Sequence, residues 1–348
     1  MEDIYISKKR RNSDDFIVEI PEDEFLPPSP PDDNEPPKKK KKRKKGFLKF
    51  TATLLAVIFL CSSSFIFLFS AVSGYTRKDL ERNEYISSSQ LKSSPLVTNI
   101  LLLGVDGKAD SSSRADSMIL VSIDFAHAKI KLVSFLRDSW VEIPSKGKKA
   151  KLNAACSYGG PQLVADTIEY NFGVDIDHFV MVDFDMFTQI IDSLGGVEVE
   201  VTKKEADFIN RTTRQNVDHG EKVRLNGDEA LVYCRIRKLD SDYMRTYRQR
   251  KVISALINQA KTAGIEKIIE TMSNVFPLIQ TDMSPAEITG LAYKAGIGLM
   301  FDIEQNRVPI DEHMTPKTIN GQWVESIDIQ ATKEYLIEYI YTNNIIID

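Results

Sequence analysis

The chain has 348 residues, with 45 Lys and Arg against 50 Asp and Glu, 42% hydrophobic residues and 3 cysteines. Its net charge of −5 argues against a general nucleic-acid binder, and so few cysteines make neither a disulfide framework nor a thiolate metal centre. The charge is uneven: up to Gly74 there are 13 Lys and Arg to 11 Asp and Glu, which leaves 32 to 39 for everything beyond.

Residues 1–37 are rich in Asp, Glu, Ser and Pro (SDDFIVEIPEDEFLPPSPPDDNEPP), with too few apolar positions to bury a core. The sequence therefore predicts a disordered tail over 1–46, ending in the basic run KKKKKRKK from Lys38 to Lys45. From Phe47 to Val72 follows FLKFTATLLAVIFLCSSSFIFLFSAV, with 23 uncharged residues after Lys49. At ~1.5 Å per residue that is enough to cross a hydrocarbon core, and a basic run before an apolar one stays on the cytoplasmic side. The basic run is read as a topological, lipid-facing feature. A cleaved signal peptide would start nearer residue 1 and have a shorter apolar core. The reading is one retained transmembrane helix over 47–72, with the N-terminus cytoplasmic and the rest of the chain extracytoplasmic. Residues 73–95 read as a polar stalk and 96–344 as one folded outer domain.

Within that domain, Val97 to Gly104 (VTNILLLG), Met118 to Asp124 and Lys129 to Leu136 are nearly continuous apolar runs, the pattern of strands covered on both faces. Leu152 to Phe172 has helical spacing interrupted at Gly159-Gly160-Pro161, where Pro opens a second helix. His178 to Asp183 reads as a strand, Phe184 to Leu194 as a helix, Gly195-Gly196 as a turn, Val197 to Val201 as a strand and Thr332 to Tyr341 as a closing helix. This alternation predicts an α/β fold, a three-layer α/β/α domain around a central mixed sheet. Cys61 falls in the predicted span. Cys156 and Cys234 read as buried thiols, although an oxidising exterior leaves their pairing open.

Three constellations are rich in chemistry. Asp106 ends the first apolar run in Gly104-Val105-Asp106-Gly107-Lys108, and Arg114-Ala115-Asp116 opens the next. Strand ends are where α/β sheets place ligands, and two aspartates suit Mg²⁺, yet Asp-Gly is also an ordinary turn. Arg137-Asp138 closes the third run and, alone, reads as a surface ion pair. Arg235, Arg237, Arg245, Arg248 and Arg250 fall within sixteen residues of an acidic domain. In an extended segment Arg235 and Arg237 point the same way, while Arg245, Arg248 and Gln249 share one helical face. Arginine forks match phosphate oxygens in pairs, so arginines from separate segments beside two aspartates are the parts of a pyrophosphate site. HExxH, GxSxG, P-loop and GxGxxG patterns are absent. His178, in an apolar strand, reads as structural.

Taken in order, NILLLGVDGK, SRADSMILVSID, KLVSFLRDSWVEIP, KLNAACSYGGPQLVADTIEYNFGVDIDHFVMVDF, IIDSLGGVEV and LNGDEALVYCRIRKLDSDYMRTYRQRKV resemble the LytR-CpsA-Psr family. The resemblance runs from about Asn99 to Val252, with a weaker echo in NGQWVESIDIQATKEYLIEYIY. It implies a Mg²⁺-assisted phosphotransferase in a Gram-positive-type envelope. Such an enzyme moves an anionic glycopolymer, teichoic acid or capsule, from an undecaprenyl-pyrophosphate carrier to the C6 hydroxyl of N-acetylmuramic acid in peptidoglycan. It also implies an apolar groove for the lipid tail. Carried onto this chain, Asp106 and Asp116 are the metal ligands. Arg114, Arg137, Arg235, Arg237, Arg245, Arg248 and Gln249 hold the pyrophosphate, Asp242 stands near it, and Asp106 is a candidate to take the hydroxyl proton. Lys108 replaces the family's usual Arg, and Ser241-Asp242-Tyr243-Met244-Arg245 replaces a glycine-rich stretch. The alternatives are a polyprenyl-pyrophosphate hydrolase at the same site, or a non-enzymatic polyisoprenoid-binding sensor.

Overall fold

The computed structural model describes residues 75–107, 113–262, 273–298 and 300–342, together with 267 and 270. The predicted tail and membrane span, and Lys108, lie outside the described residues; among those described, no helix is long and apolar enough to cross a membrane. Along the chain, β1 (Thr76–Arg77), β2 (Val97–Asp106), β3 (Arg114–Asp124), β4 (Lys129–Phe135), β5 (Ser139–Ile143) and β6 (Lys148–Lys151) precede helix α1 (Ala154–Phe172). Next come β7 (His178–Val182), α2 (Phe184–Ser193), β8 (Val197–Val201), α3 (Lys203–Thr213), β9 (Gly220–Leu225), α4 (Gly227–Arg235) and α5 (Asp242–Thr262). The chain closes with β10 (Gln280–Thr281), α6 (Pro285–Gly298), β11 (Asp302–Val308), β12 (Met314–Ile319), β13 (Gln322–Ile327) and α7 (Ile329–Tyr341).

The central sheet is mixed and seven-stranded, in the order β1-β10-β7-β2-β3-β4-β11. On one face Leu101, Leu103, Val105, Leu120, Val133, Phe179 and Met181 pack with Leu163, Val164 and Ile168 of α1 and Leu336 and Ile340 of α7. On the other, Ile100, Ile119 and Leu132 pack with Ile253 and Ile257 of α5 and Leu291 of α6. Burial on both faces is why the strands read as continuous apolar runs rather than alternating ones. Cys156 lies in the first of these cores and Cys234 in a third cluster around β8, β9 and α2–α5, so the two thiols form no disulfide.

Three expectations change. The expected single sheet is accompanied by a four-stranded sheet (β12-β13-β5-β6) and the β8-β9 ribbon. Of their strands only β8 was expected, as Val197 to Val201; the others are short and carry too little apolar patterning to stand out. The segment expected as a stalk lies against the domain from residue 75 onward. Its β1 pairs with β10, Asn83 is buried and donates to Glu169 Oε2 at 2.8 Å, and Lys92 N donates to Gly173 O at 2.8 Å. The arginine-bearing segment at 235–237 is not extended: α4 runs to Arg235 before the backbone opens at Ile236. The expected break in α1 is present, since Gly159 and Gly160 leave helical geometry and Gly160 has φ 67°, a conformation favouring glycine.

Candidate active site

The floor of the site comes from a defect in the β2–β3 ladder. Gly104 pairs with Ser117 and Val105 with Ala115, so Asp116 is an extra residue on β3. A bulge of this kind re-aims side chains. Ala115 stays in the core, while Asp116 and Ser117 both line a cavity that Asp106, at the end of β2, also reaches. Gly104 eases this crossing, because a Cβ there would sit 3.1 Å from Ser117 Cβ, a tight contact.

Arg137 enters from the β4–β5 turn, which is held by Asn153 N donating to Arg137 O at 3.1 Å and Ser139 N to Leu136 O at 3.1 Å. Its guanidinium donates to Asp116 Oδ1 at 2.8 Å and lies 3.4 Å from Asp138 and 3.9 Å from Asp242. Asp138 is in turn bound by Lys151 at 2.6 Å. Arg137-Asp138 is therefore a half-buried part of the site rather than a surface pair.

The opposite wall is carried by α4 and α5. Helix α4 starts in a capping box, Asn226 with Glu229, and its last residue, Arg235, stacks its guanidinium 4.2 Å over the Phe184 ring. Arg237 approaches Asp116 at 3.5 Å and Asp242 at 3.9 Å. One turn into α5, Arg245 is 2% exposed; it pairs with Asp242 at 2.9 Å, and its Nε and Nη1 have no hydrogen-bond partner among the described residues. Burial pulls its pKa down to about 10, the mark of a cation placed where its charge is costly. Gln249 accepts from Ser117 Oγ at 3.1 Å, and Lys238 adds a further cation to the lining.

Beyond this charged end the same cavity, about 700 Å³, continues between sheet and helices along Leu102, Val180, Phe187, Ile253, Leu256 and Phe276. The space thus has one end built to bind anionic oxygens and another that only an apolar chain would fill.

Asp106, Asp116, Arg235, Arg237, Arg245 and Gln249 all line the cavity, and Arg137 and Asp242 adjoin it through the ion pairs above. Two expected residues stand apart. Arg114 is exposed, opposite Asp106 in the ladder, and is not on the cavity wall. Arg248 is 2% exposed and turned away, held by Glu205 at 2.6 Å and by a two-pronged contact to Asp240. Sequence reading passed over Lys238, Ser117 and the Phe184 platform; only the Asn-x-x-Glu capping signal would have marked α4 as a helix delivering Arg235.

The donor set also bears on a metal. Two aspartates at one cavity suit Mg²⁺, which takes one or two carboxylates and completes its shell with phosphate oxygens and water. Among the described residues no group of three or more His, Cys, Asp and Glu gathers as a self-sufficient metal cage.

With this geometry in view, residues 64–340 match the LytR_cpsA_psr family. The chain belongs to that family. Over 189 residues it is 36% identical to the polyisoprenyl-teichoic acid–peptidoglycan teichoic acid transferase TagU of Halalkalibacterium halodurans, covering 53% of this chain and 60% of that one. This chain thus spans less than two thirds of that relative's length. The structure titled "TagT bound to LIIa-WTA" aligns with a TM-score of 0.62 at 25% identity, covering 76% of this chain and 98% of that one. A second, "LytR-CPS2A-psr family protein YwtF (TagT) with bound octaprenyl pyrophosphate lipid", gives 0.59 at 24% identity over 76% and 99%, and shares the fold. The mixed α/β architecture is that of the family's solved structures.

Proposed function

We propose that this LytR-CpsA-Psr chain is a phosphotransferase that takes an anionic glycopolymer from an undecaprenyl-pyrophosphate carrier and joins it to the C6 hydroxyl of N-acetylmuramic acid in peptidoglycan. The observation that carries the reading is the single cavity with an arginine-rich end and an apolar end, a shape and polarity that suit a pyrophosphate attached to a prenyl chain. The names of the relatives favour teichoic acid as the polymer class, and the titled octaprenyl pyrophosphate ligand of one neighbour is of the same chemical kind.

In the reaction the acceptor hydroxyl oxygen attacks the sugar-linked phosphorus. The new P–O bond forms as the bond to the bridging oxygen breaks, and the lipid leaves as its monophosphate. Arg137, Arg237 and Arg245 converge on Asp116 and Asp242, and they exchange these carboxylates for phosphate oxygens when substrate enters. Fixed donors aimed at developing charge lower the barrier without reorganisation. Arg235, on its Phe184 platform, and Gln249 hold the non-transferred phosphate, and Asp106 accepts the hydroxyl proton. Mg²⁺, held by Asp106 and Asp116, supplies further neutralisation of the phosphate oxygens when bound. Arg248 acts at one remove, fixing the start of α5 through Asp240 and Glu205, and Arg114 lies at the rim.

The test is incubation of the protein with a polyprenyl-pyrophosphate-linked glycan, Mg²⁺ and a peptidoglycan oligomer. A covalent glycan–peptidoglycan adduct is expected. Release of lipid phosphate without adduct would instead identify a pyrophosphate hydrolase, and absence of any turnover a polyisoprenoid-binding sensor.

A further inference from the structure

The apolar run read as a membrane span ends at Val72, and Tyr75 is already part of the fold. Three peptide links cover at most about 11 Å, so wherever that run meets the bilayer surface, Tyr75 is close by. From there the chain is fixed to one edge of the sheet. Thr76 N donates to Ile279 O at 3.2 Å and Lys78 N to Thr281 O at 2.9 Å. Tyr75 OH donates to Met283 O at 2.9 Å, and the Tyr75 ring packs among Val180, Phe276, Met283, Ile288 and Leu291.

Val180, Phe276 and Ile279 are also wall residues of the substrate cavity, at its apolar end. The place where the chain arrives from the predicted span and the place where the cavity is purely apolar are therefore the same edge. Residues 76–92 are held along the domain by the β1–β10 pairing, by buried Asn83 and by Lys92, so among the described residues there is no free stalk by which the domain could swing that edge away.

We propose that the edge formed by Tyr75–Lys78, Val275–Met283 and the first turn of α6 rests on the phospholipid bilayer, with the apolar end of the cavity opening toward it. The prenyl chain of the carrier then passes from membrane to cavity without crossing water, which would be strongly opposed for so large an apolar surface. The docking rests on the span read over 47–72, and the lipid passage on the transferase reading.

The experiment uses the full chain, with Cys61→Ser, in vesicles of phosphatidylcholine and phosphatidylglycerol. Cys156 and Cys234 are buried, so a single exposed cysteine takes an environment-sensitive fluorophore at Asn274→Cys, at Ala286→Cys or, on the four-stranded sheet, at Trp323→Cys. Lipids carrying a shallow nitroxide should quench the probes at 274 and 286 at least threefold more than the probe at 323. Equal quenching at all three sites, or stronger quenching at 323, overturns the proposal, as does failure of the full chain to associate with vesicles. Quenching needs no turnover, so a failed transfer assay leaves this result standing and identifies the reaction as the part in error.

Discussion

Arg245 and Arg248 sit one turn apart on α5, both 2% exposed, yet they do different work. Arg248 neutralises Glu205, whose carboxyl burial would raise but whose bonds from Arg248 and Thr202 hold below its ordinary range. Arg248→Ala leaves that carboxylate buried and uncompensated, and the urea midpoint should fall by an equivalent of about 3 kcal/mol or more. Among the described residues Arg245 has one carboxylate partner and two donors without one, so Arg245→Met should leave the midpoint within about 1 kcal/mol of the parent. The same substitution should lower the rate of adduct formation by roughly a hundredfold or more. Equal stability losses for the two variants would show that the division of roles is wrong. Sequence spacing put both arginines on one helical face but did not separate them, because the carboxylates that claim Arg248 come from α3 and from the loop before α5.

At the scale of elements, the crossing of α2 and α4 positions Arg235. A Cβ on Gly227 would meet Thr188 O at 2.4 Å, and Gly227 N donates to Asp192 Oδ1 at 2.7 Å. Backbone oxygen does not yield as a side chain does, so Gly227→Ala should push α4 off α2 and destabilise by about 1–3 kcal/mol. Adduct formation should fall with it, because Arg235 moves relative to Phe184; a variant with parental stability and rate would remove this crossing from the account. The long strands were legible because their apolar runs record burial on two faces. The β12–β13 hairpin was not, because its MTPKTI and QWVESI segments are largely polar and gain strand character from pairing with each other and, through β13, with β5.

Over the whole molecule, the docked segment carries a pH dependence. Burial pushes the Glu169 carboxyl up to about 7 and Asp166 up to about 6, both around Asn83. For an acid whose folded pKa is raised, the native state holds more protons than the unfolded state between the two pKa values. Stability is then greatest below the unfolded value near 4 to 4.5 and declines as pH rises through the folded values. The urea midpoint should therefore drop between pH 5 and pH 8, by an equivalent on the order of 2 kcal/mol. Glu169→Gln should flatten the profile while giving up one of the two bonds that Glu169 accepts, from Ile176 N and Asn83 Nδ2. A profile that rises over that window would refute the assignment.

What the sequence determined by itself is local or periodic: the acidic and basic stretches and the apolar run as features of composition, the strands buried on two faces, the glycine break in α1, and the ordered motifs that mark the family. Each is a property of neighbouring residues, so composition and spacing carry it. The tertiary structure decided what depends on distant partners. The β2–β3 bulge turns Asp116 into the cavity, Asp240 and Glu205 take Arg248 out of it, and Arg114 is left exposed and off its wall. Pairing of β1 with β10 turns an expected stalk into part of the domain. A side chain's charge is written in the chain, but the direction it faces depends on register and on which opposite charge lies within reach.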